Sequence, residues 1–282
     1  MTGARLKLAF SPCPNDTFIF HAWVQGRLPG APPVETALAD IDMLNTWALA
    51  GDPDVVKVSF HAFAHLRTQY ALLHSGGALG RGCGPLIVAR DAAIEDAESL
   101  TSARIAIPGS LTTAGLLLRL FAPGAVDVRV MPFDRIMPAV VAGDVDAGVI
   151  IHESRFTYPA YGLREVVDLG RWWEESTGHA IPLGAIAVRR ALGREVAQAV
   201  ERAVRGSLEA AWADPAASGD YVSRHAQEMD PVVCEQHIRL YVTEFSRDYG
   251  AEGEAAIRHL LKAAETVGAV PPAEGLGLFW DE

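Results

Sequence analysis

The chain has 282 residues, half of them hydrophobic and 21% charged, with a formal net charge of −11 at pH 7. That length suits one large or two medium domains around a substantial core. The acidic balance repels phosphate backbones, which argues against a nucleic-acid partner, and no apolar run approaches the roughly 20 residues that cross a bilayer. Three cysteines (Cys13, Cys83, Cys234) stand far apart without CxxC spacing, against a disulfide framework or a zinc cluster. In "MTGARLKLAFSP" proline interrupts the apolar run before it reaches signal-peptide length. The expectation is a soluble cytoplasmic protein.

Taken in chain order, strand-like and helix-like patterns alternate, which predicts an α/β fold with mostly parallel sheets. "RLKLAFS" reads as a first strand, and "DTFIFHAWVQG" as a helix capped by Asn15 or Asp16 and stopped by Gly26. "VETALAD" is a second strand, "IDMLNTWALAG" a helix, "DVVKVSF" a buried strand and "HAFAHLRTQY" a helix. Past the glycine-rich "SGGALGRGCGP", "LIVAR" is a further short strand. The pattern then restarts with strand "RIAIPGS", helix "TTAGLLLRLFA", strand "DVRVMPF", helix "DRIMPAVVAG" and buried strand "VDAGVIIH". "GAIAVRR" is one more strand. Beyond it, "EVAQAVERAVRGSLEAAWADP" and "EGEAAIRHLLKAAETVG" place apolar residues at helical spacing with charges opposite.

The chain leaves the first α/β unit after "LIVAR" and returns along "GAIAVRR". This predicts a discontinuous larger domain, 1–91 with 184–282, carrying the helical C-terminal section, and a smaller α/β domain, 92–183. Two lobes joined by two crossing segments enclose a cleft, the usual place for a small ligand.

In open α/β sheets, ligands sit beyond the carboxyl ends of strands, where helix N-termini present bare N–H groups. Four strand ends carry suggestive polar residues. In "SPCPNDTFIFHA", Pro12 and Pro14 stiffen a turn. Asn15, Asp16 and Thr17 there supply either a helix cap or groups facing a ligand. Cys13 has no base assigned by the sequence and reads as a small buried thiol. In "VVKVSF", Lys57 lies inside an apolar strand, where an unpaired ammonium is costly. It either pairs with a structural carboxylate or faces the cleft and binds an anion, while Ser59 opens the next helix.

In "IPGSLTTAG", Ser110, Thr112 and Thr113 crowd a helix start, more hydroxyls than one N-cap needs, which favours an anion cradle. In "GVIIHESRFTY", His152 ends a buried strand beside Glu153. That position suits a general base near neutral pH, and a structural histidine is the other reading. His61 and His65 are four apart without an HExxH pattern and read as surface or packing residues, not zinc ligands. "GGALGRGCG" lacks dinucleotide and P-loop spacing.

Together, "SPCPNDTFIFHA", "KVSF", "SGGALGRGCGPL", "PGSLTTA", "GVIIHESRFTYP", "VVDLGRWWEE" and "IPLGAIAVRR" resemble the 1,4-dihydroxy-6-naphthoate synthases of the futalosine route to menaquinone. The likeness runs from residue 11 to about residue 190, and the helical tail matches in character rather than motif. It implies a two-lobed fold similar to type II periplasmic solute-binding proteins. It also implies a lyase that cleaves cyclic dehypoxanthine futalosine to 1,4-dihydroxy-6-naphthoate without metal or organic cofactor. His152 matches the family's catalytic base. Lys57, Val58 and Ser59 match a segment that holds substrate, and Thr113 and Ala114 a second one facing the substrate carboxylate. Asn15 and Asp16 lie in the signature turn and are expected to line the cleft.

Phe18, Phe156 and Trp172 are expected to pack within the lobes, with cover of a fused ring as the alternative. Two rival readings remain at this level. A cytoplasmic carboxylate-binding relative would not require a histidine at the strand end. A sister enzyme such as the chorismate dehydratase of the same pathway does not carry the paired signature at His152 and in the first turn.

Overall fold

The computed structural model describes residues 5–227, 230–272 and 275–282, so the first four residues of the N-terminal segment weighed above lie outside it. β1 (Leu6–Phe10) leads into α1 (Pro14–Val24), β2 (Val34–Leu38) into α2 (Ile41–Ala50), and β3 (Val55–Ser59) into α3 (Phe60–Leu66). Two short strands follow, β4 (Tyr70–Leu72) and β5 (Ala78–Gly80). The middle section is β6 (Leu86–Ala89), β7 (Arg104–Ile107), α4 (Thr113–Phe121), β8 (Asp127–Val130), α5 (Phe133–Ala142) and β9 (Ala147–Ile150). It closes with α6 (Ser154–Thr157), β10 (Arg164–Asp168) and α7 (Leu169–Thr177). After β11 (Ile181–Arg189) come α8 (Arg194–Ala213), α9 (Gly219–His225), α10 (Pro231–Tyr241), α11 (Glu244–Arg247) and α12 (Gly250–Thr266). No helix among the described residues is long and apolar enough to cross a membrane.

The strands form two sheets. One has the order β2-β1-β3-β11-β4, with β5 also on β11, and the other β10-β6-β9-β7-β8. Within the βαβ units the pairs are parallel, β1 with β2 and β3, β7 with β8 and β9. β11 is antiparallel to β3, β4 and β5, and β6 is antiparallel to β9 and β10. The expected parallel grammar therefore stops at the two strands that border the crossings between sheets.

β6 corrects one sequence reading. "LIVAR" was expected to close the first unit, yet β6 pairs with β9 and β10 in the second sheet. The crossing thus falls in the glycine-rich stretch ahead of Pro85. A short apolar run marks a strand as buried on both faces without saying in which sheet. At this crossing the Gly84 backbone lies against Gly170, and a Cβ on Gly84 would stand 2.2 Å from the Gly170 Cα.

α1 begins at Pro14, whose missing N–H costs nothing at a helix start, and Cys13 holds the cap position without a side-chain cap. Asn15 and Asp16 lie inside the first turn. They do not cap it, which corrects that expectation and leaves both side chains for other partners. One apolar core runs through both sheets, joining Val56 and Leu79 to Ile87, Ile105, Leu117 and Leu260. A second core covers the far face of the first sheet (Phe10, Phe20, Val200, Val204), and a third that of the second sheet (Val88, Ile136, Val140). The polar ends of β1, β3, β7 and β9 meet between the sheets.

Candidate active site

A cavity between the sheets is lined by Ser11, Asn15, Asp16, Lys57, Ser59, Thr113, Ala114 and His152, together with residues of β11 and α10. Alternation along β3 explains its contribution. Lys57 and Ser59 face the cavity, while Val58, one residue out of phase, buries its side chain in the core. Val58, matched to the site by resemblance, therefore does not line it.

Lys57 is 4% exposed, and its Nζ donates to Asp16 Oδ1 at 2.7 Å. Both alternatives for Lys57 meet here: it has a carboxylate partner, and that pair lines the cavity. A buried ammonium so close to a carboxylate is internally neutralised, so Lys57 is not a bare anion site. Asp16 also accepts from Ser11 Oγ (2.7 Å), Ser11 N (3.3 Å) and Asn15 Nδ2 (2.9 Å). Because the Asn15 amide N–H faces this carboxylate, its Oδ1 must face the other way. There it accepts from His237 Nε2 at 2.9 Å.

His152 follows β9 with φ 57°, the one non-glycine residue in the left-handed region among the described residues. For an L-residue that conformation costs on the order of 1 kcal/mol. It ends the strand and turns the imidazole toward the cavity, edge-on to Phe133 (5.2 Å between centroids) and nearly parallel to His237 (6.1 Å, 19°). Burial pushes its pKa down to about 4, Lys57 lowers it further, and Asp16 opposes. His237 is held well below the usual histidine range, again chiefly by burial, with His152 and Lys57 adding. Both rings are neutral at pH 7 and hold a lone pair that can take a proton or a hydrogen bond.

That neutrality carries a stability signature. An unfolded histidine protonates near pH 6.5, whereas folded His152 stays neutral down to about pH 4. Between those values the unfolded chain binds more protons, so stability falls as pH falls through the window. The melting temperature should drop between about pH 7 and about pH 4.5, and His152→Asn should flatten part of the slope. A pH-independent difference between wild type and variant would contradict the depressed pKa.

At the start of α4 the three hydroxyls separate. Thr112 caps the helix, accepting from Gly115 N (3.1 Å) and donating to Gly109 O (2.7 Å). Thr113 Oγ1 donates to Leu183 O on β11 at 2.6 Å. Ser110 is exposed. The expected cradle thus reduces to the first-turn N–H groups of Thr113 and Ala114, because the Thr113 proton is already committed. His61 Nδ1 lies 3.3 Å from Thr112 O and braces this turn from behind.

The residues sequence reasoning missed come mainly from the helical tail. His237 and Tyr241, four apart on α10, present one face to the cavity, with their rings 4.6 Å apart. The available signal was two polar aromatics at helical spacing. Asn45, adjoining the apolar Leu44 on α2, accepts from Ser59 N (3.0 Å) and donates to Ser59 Oγ (3.1 Å). Cys83 also lines the cavity, but burial raises its thiol to about 12, and Cys13 is likewise raised, so neither is a thiolate at pH 7. Phe18 packs in the first lobe's core, and Trp172 meets Phe121 edge-on at 5.4 Å; neither reaches the cavity, nor does Phe156. Among the described residues, no group of three His, Cys, Asp or Glu side chains is placed to hold a metal ion.

Known proteins resemble this chain in sequence and in fold. The sequence profile of the menaquinone-biosynthesis family matches residues 6–266. The chain is 52% identical over 276 residues to the 1,4-dihydroxy-6-naphtoate synthase of Streptomyces coelicolor, covering 96% of each. It is 51% identical over 268 residues to the enzyme of the same name from Thermus thermophilus, covering 95% of this chain and 97% of that one. Among solved structures, a protein of Archaeoglobus fulgidus superposes with a TM-score of 0.89 at 34% identity, over 96% of this chain and 100% of that one. The alkanesulfonate-binding protein SsuA of Xanthomonas axonopodis pv. citri superposes at 0.70 with 14% identity over 96% of each, a likeness of fold of the periplasmic-binding-protein type.

Proposed function

The chain belongs to the menaquinone-biosynthesis family, and on that premise we propose that it cleaves cyclic dehypoxanthine futalosine to 1,4-dihydroxy-6-naphthoate, with His152 as the base. The observation that carries the role of His152 is a neutral imidazole turned into the inter-sheet cavity on a left-handed backbone. A histidine there only to fill space has no need of that conformation. With the proton of the substrate's sugar-derived portion taken by His152, the electron pair left behind drives the carbon–carbon cleavage, which frees the ribose-derived fragment and leaves the aromatic product.

The first-turn N–H groups of α4 are the natural seat for the substrate carboxylate, since Lys57 is already paired with Asp16. We take the lobes to divide as sheet membership does, so that the cavity lies between them. We also take the partner to be the small-molecule substrate alone and the site of action to be the cytoplasm. The solute-receptor reading leaves the strained His152 unexplained, and both curated relatives bear a synthase name rather than that of a dehydratase.

The test is to incubate the purified, chelator-treated protein with the proposed substrate and follow the naphthoate by chromatography with mass detection. Product formation supports the reading, whereas tight binding without turnover would favour a receptor. A second expectation concerns the tie from Thr113 to Leu183. Thr113→Val should raise the substrate dissociation constant about fivefold, or ~1 kcal/mol, because the bond to Leu183 positions the first-turn N–H groups that seat the carboxylate, with Thr113→Ser restoring it. Titration calorimetry reads this directly, and an unchanged constant for the valine variant would remove the tie from the binding site.

A further inference from the structure

We infer that His237 is a second substrate-contacting imidazole, whose Nδ1 accepts a hydrogen bond from a hydroxyl of the substrate's sugar-derived portion. This inference rests on the proposed reaction and adds a residue to it. His237 is fully buried and forms part of the cavity wall. Its two nitrogens are in different circumstances. Nε2 lies 2.9 Å from Asn15 Oδ1, and an amide oxygen only accepts, so Nε2 carries the proton. The amide is held in that orientation by its Nδ2 bond to Asp16 Oδ1, and Asp16 by Lys57. The relay Lys57–Asp16–Asn15 therefore fixes one tautomer, with the lone pair on Nδ1.

That Nδ1 has no hydrogen-bond partner among the described residues. Glu153 Oε2 stands 3.8 Å from it, beyond hydrogen-bond reach and itself an acceptor when ionised. A buried acceptor without a donor is costly, and a relay of three side chains that preserves it is unexplained by packing alone. A neutral ring is what such a role needs, and burial keeps this one neutral at pH 7. The missing donor is a hydroxyl. A group held there would lie beside the His152 ring, which is 6.1 Å away and nearly parallel, so one imidazole would orient the polyol while the other removes its proton.

Two substitutions separate the nitrogens. His237→Asn places an amide oxygen where Nδ1 stands and loses the donor to Asn15. His237→Gln keeps an N–H where Nε2 stands and loses the acceptor. With wild type turning over, His237→Gln should lower kcat/KM on the order of a hundredfold, mostly through KM, as for a site that has lost its partner for a substrate hydroxyl. His237→Asn should recover most of that, to within about tenfold of wild type. Melting temperatures of both variants show whether losses merely follow stability. Equal losses, no loss, or a larger loss in the asparagine variant would each overturn the inference while leaving the reaction in place. A wild-type protein without turnover would overturn the reaction and this inference with it.

Discussion

His152→Asn should lower single-turnover rates by about a thousandfold or more while the substrate dissociation constant stays within about tenfold. Asparagine is the informative replacement because it tolerates the left-handed backbone that holds residue 152 at φ 57°. The variant therefore keeps the turn after β9 and removes only the titratable nitrogen. General-base catalysis by a positioned side chain is worth roughly 10²–10⁴ in rate, and the His237 ring, centred 6.1 Å from that of His152, is placed to hold a hydroxyl rather than to reach the same proton. Rapid-quench turnover with calorimetric binding decides it. Turnover near wild type would remove His152 from the chemistry, and a dissociation constant raised beyond about a hundredfold would make it a binding residue instead.

Lys57→Met should be the most destabilising single change in the cavity wall. Lys57 and Asp16 are 4% and 1% exposed, with Nζ and Oδ1 2.7 Å apart. Removing one member leaves the other charge uncompensated in a buried setting, at a cost of about 3–5 kcal/mol. For a chain of this size that corresponds to a melting temperature lower by on the order of 10 °C. Asp16→Asn should cost a similar amount. The double variant Asp16→Asn with Lys57→Met should be less damaged than the sum of the two, because no unpaired charge remains. Thermal denaturation at pH 7 measures all three. Single variants melting within about 2 °C of wild type, or strictly additive losses, would mean that the pair is solvated rather than buried.

The βαβ units were legible because their strands and helices follow one another with a clear change of period. Sheet membership was not. β6 is four apolar residues, and nothing in "LIVA" distinguishes pairing with β4 or β5 from its observed pairing with β9 and β10. β10 went unassigned as well. Its ladder shifts register between Glu165 and Val167, which breaks the alternation that marks a strand. Within the site, Lys57 and Ser59 were legible as polar residues at alternate positions of a buried strand. Asn15 and Asp16 were ambiguous because the residue types that cap helices also build polar sites. Asn45 was out of reach, and for His237 the only hint was its spacing from Tyr241 on one helix face. Their partners Ser59 and Asn15 lie 14 and 222 positions away in sequence, and each sits on a helix whose periodicity looks ordinary.

The place of β11 bears on how the protein is made. In the first sheet it lies between β3 and β4, with β5 also on its edge, yet it is synthesised after the entire second sheet. A nascent chain that has emerged through β5 holds β3 with one open edge and two short strands with no partner. At about 5–20 residues per second, the intervening stretch of about 100 residues takes several seconds to translate. The second sheet, contiguous from β6 to β10, can close during that interval, while the N-terminal lobe waits with an apolar edge that invites pairing with other chains. Of the two sheets, the one begun earlier is thus the later to be finished.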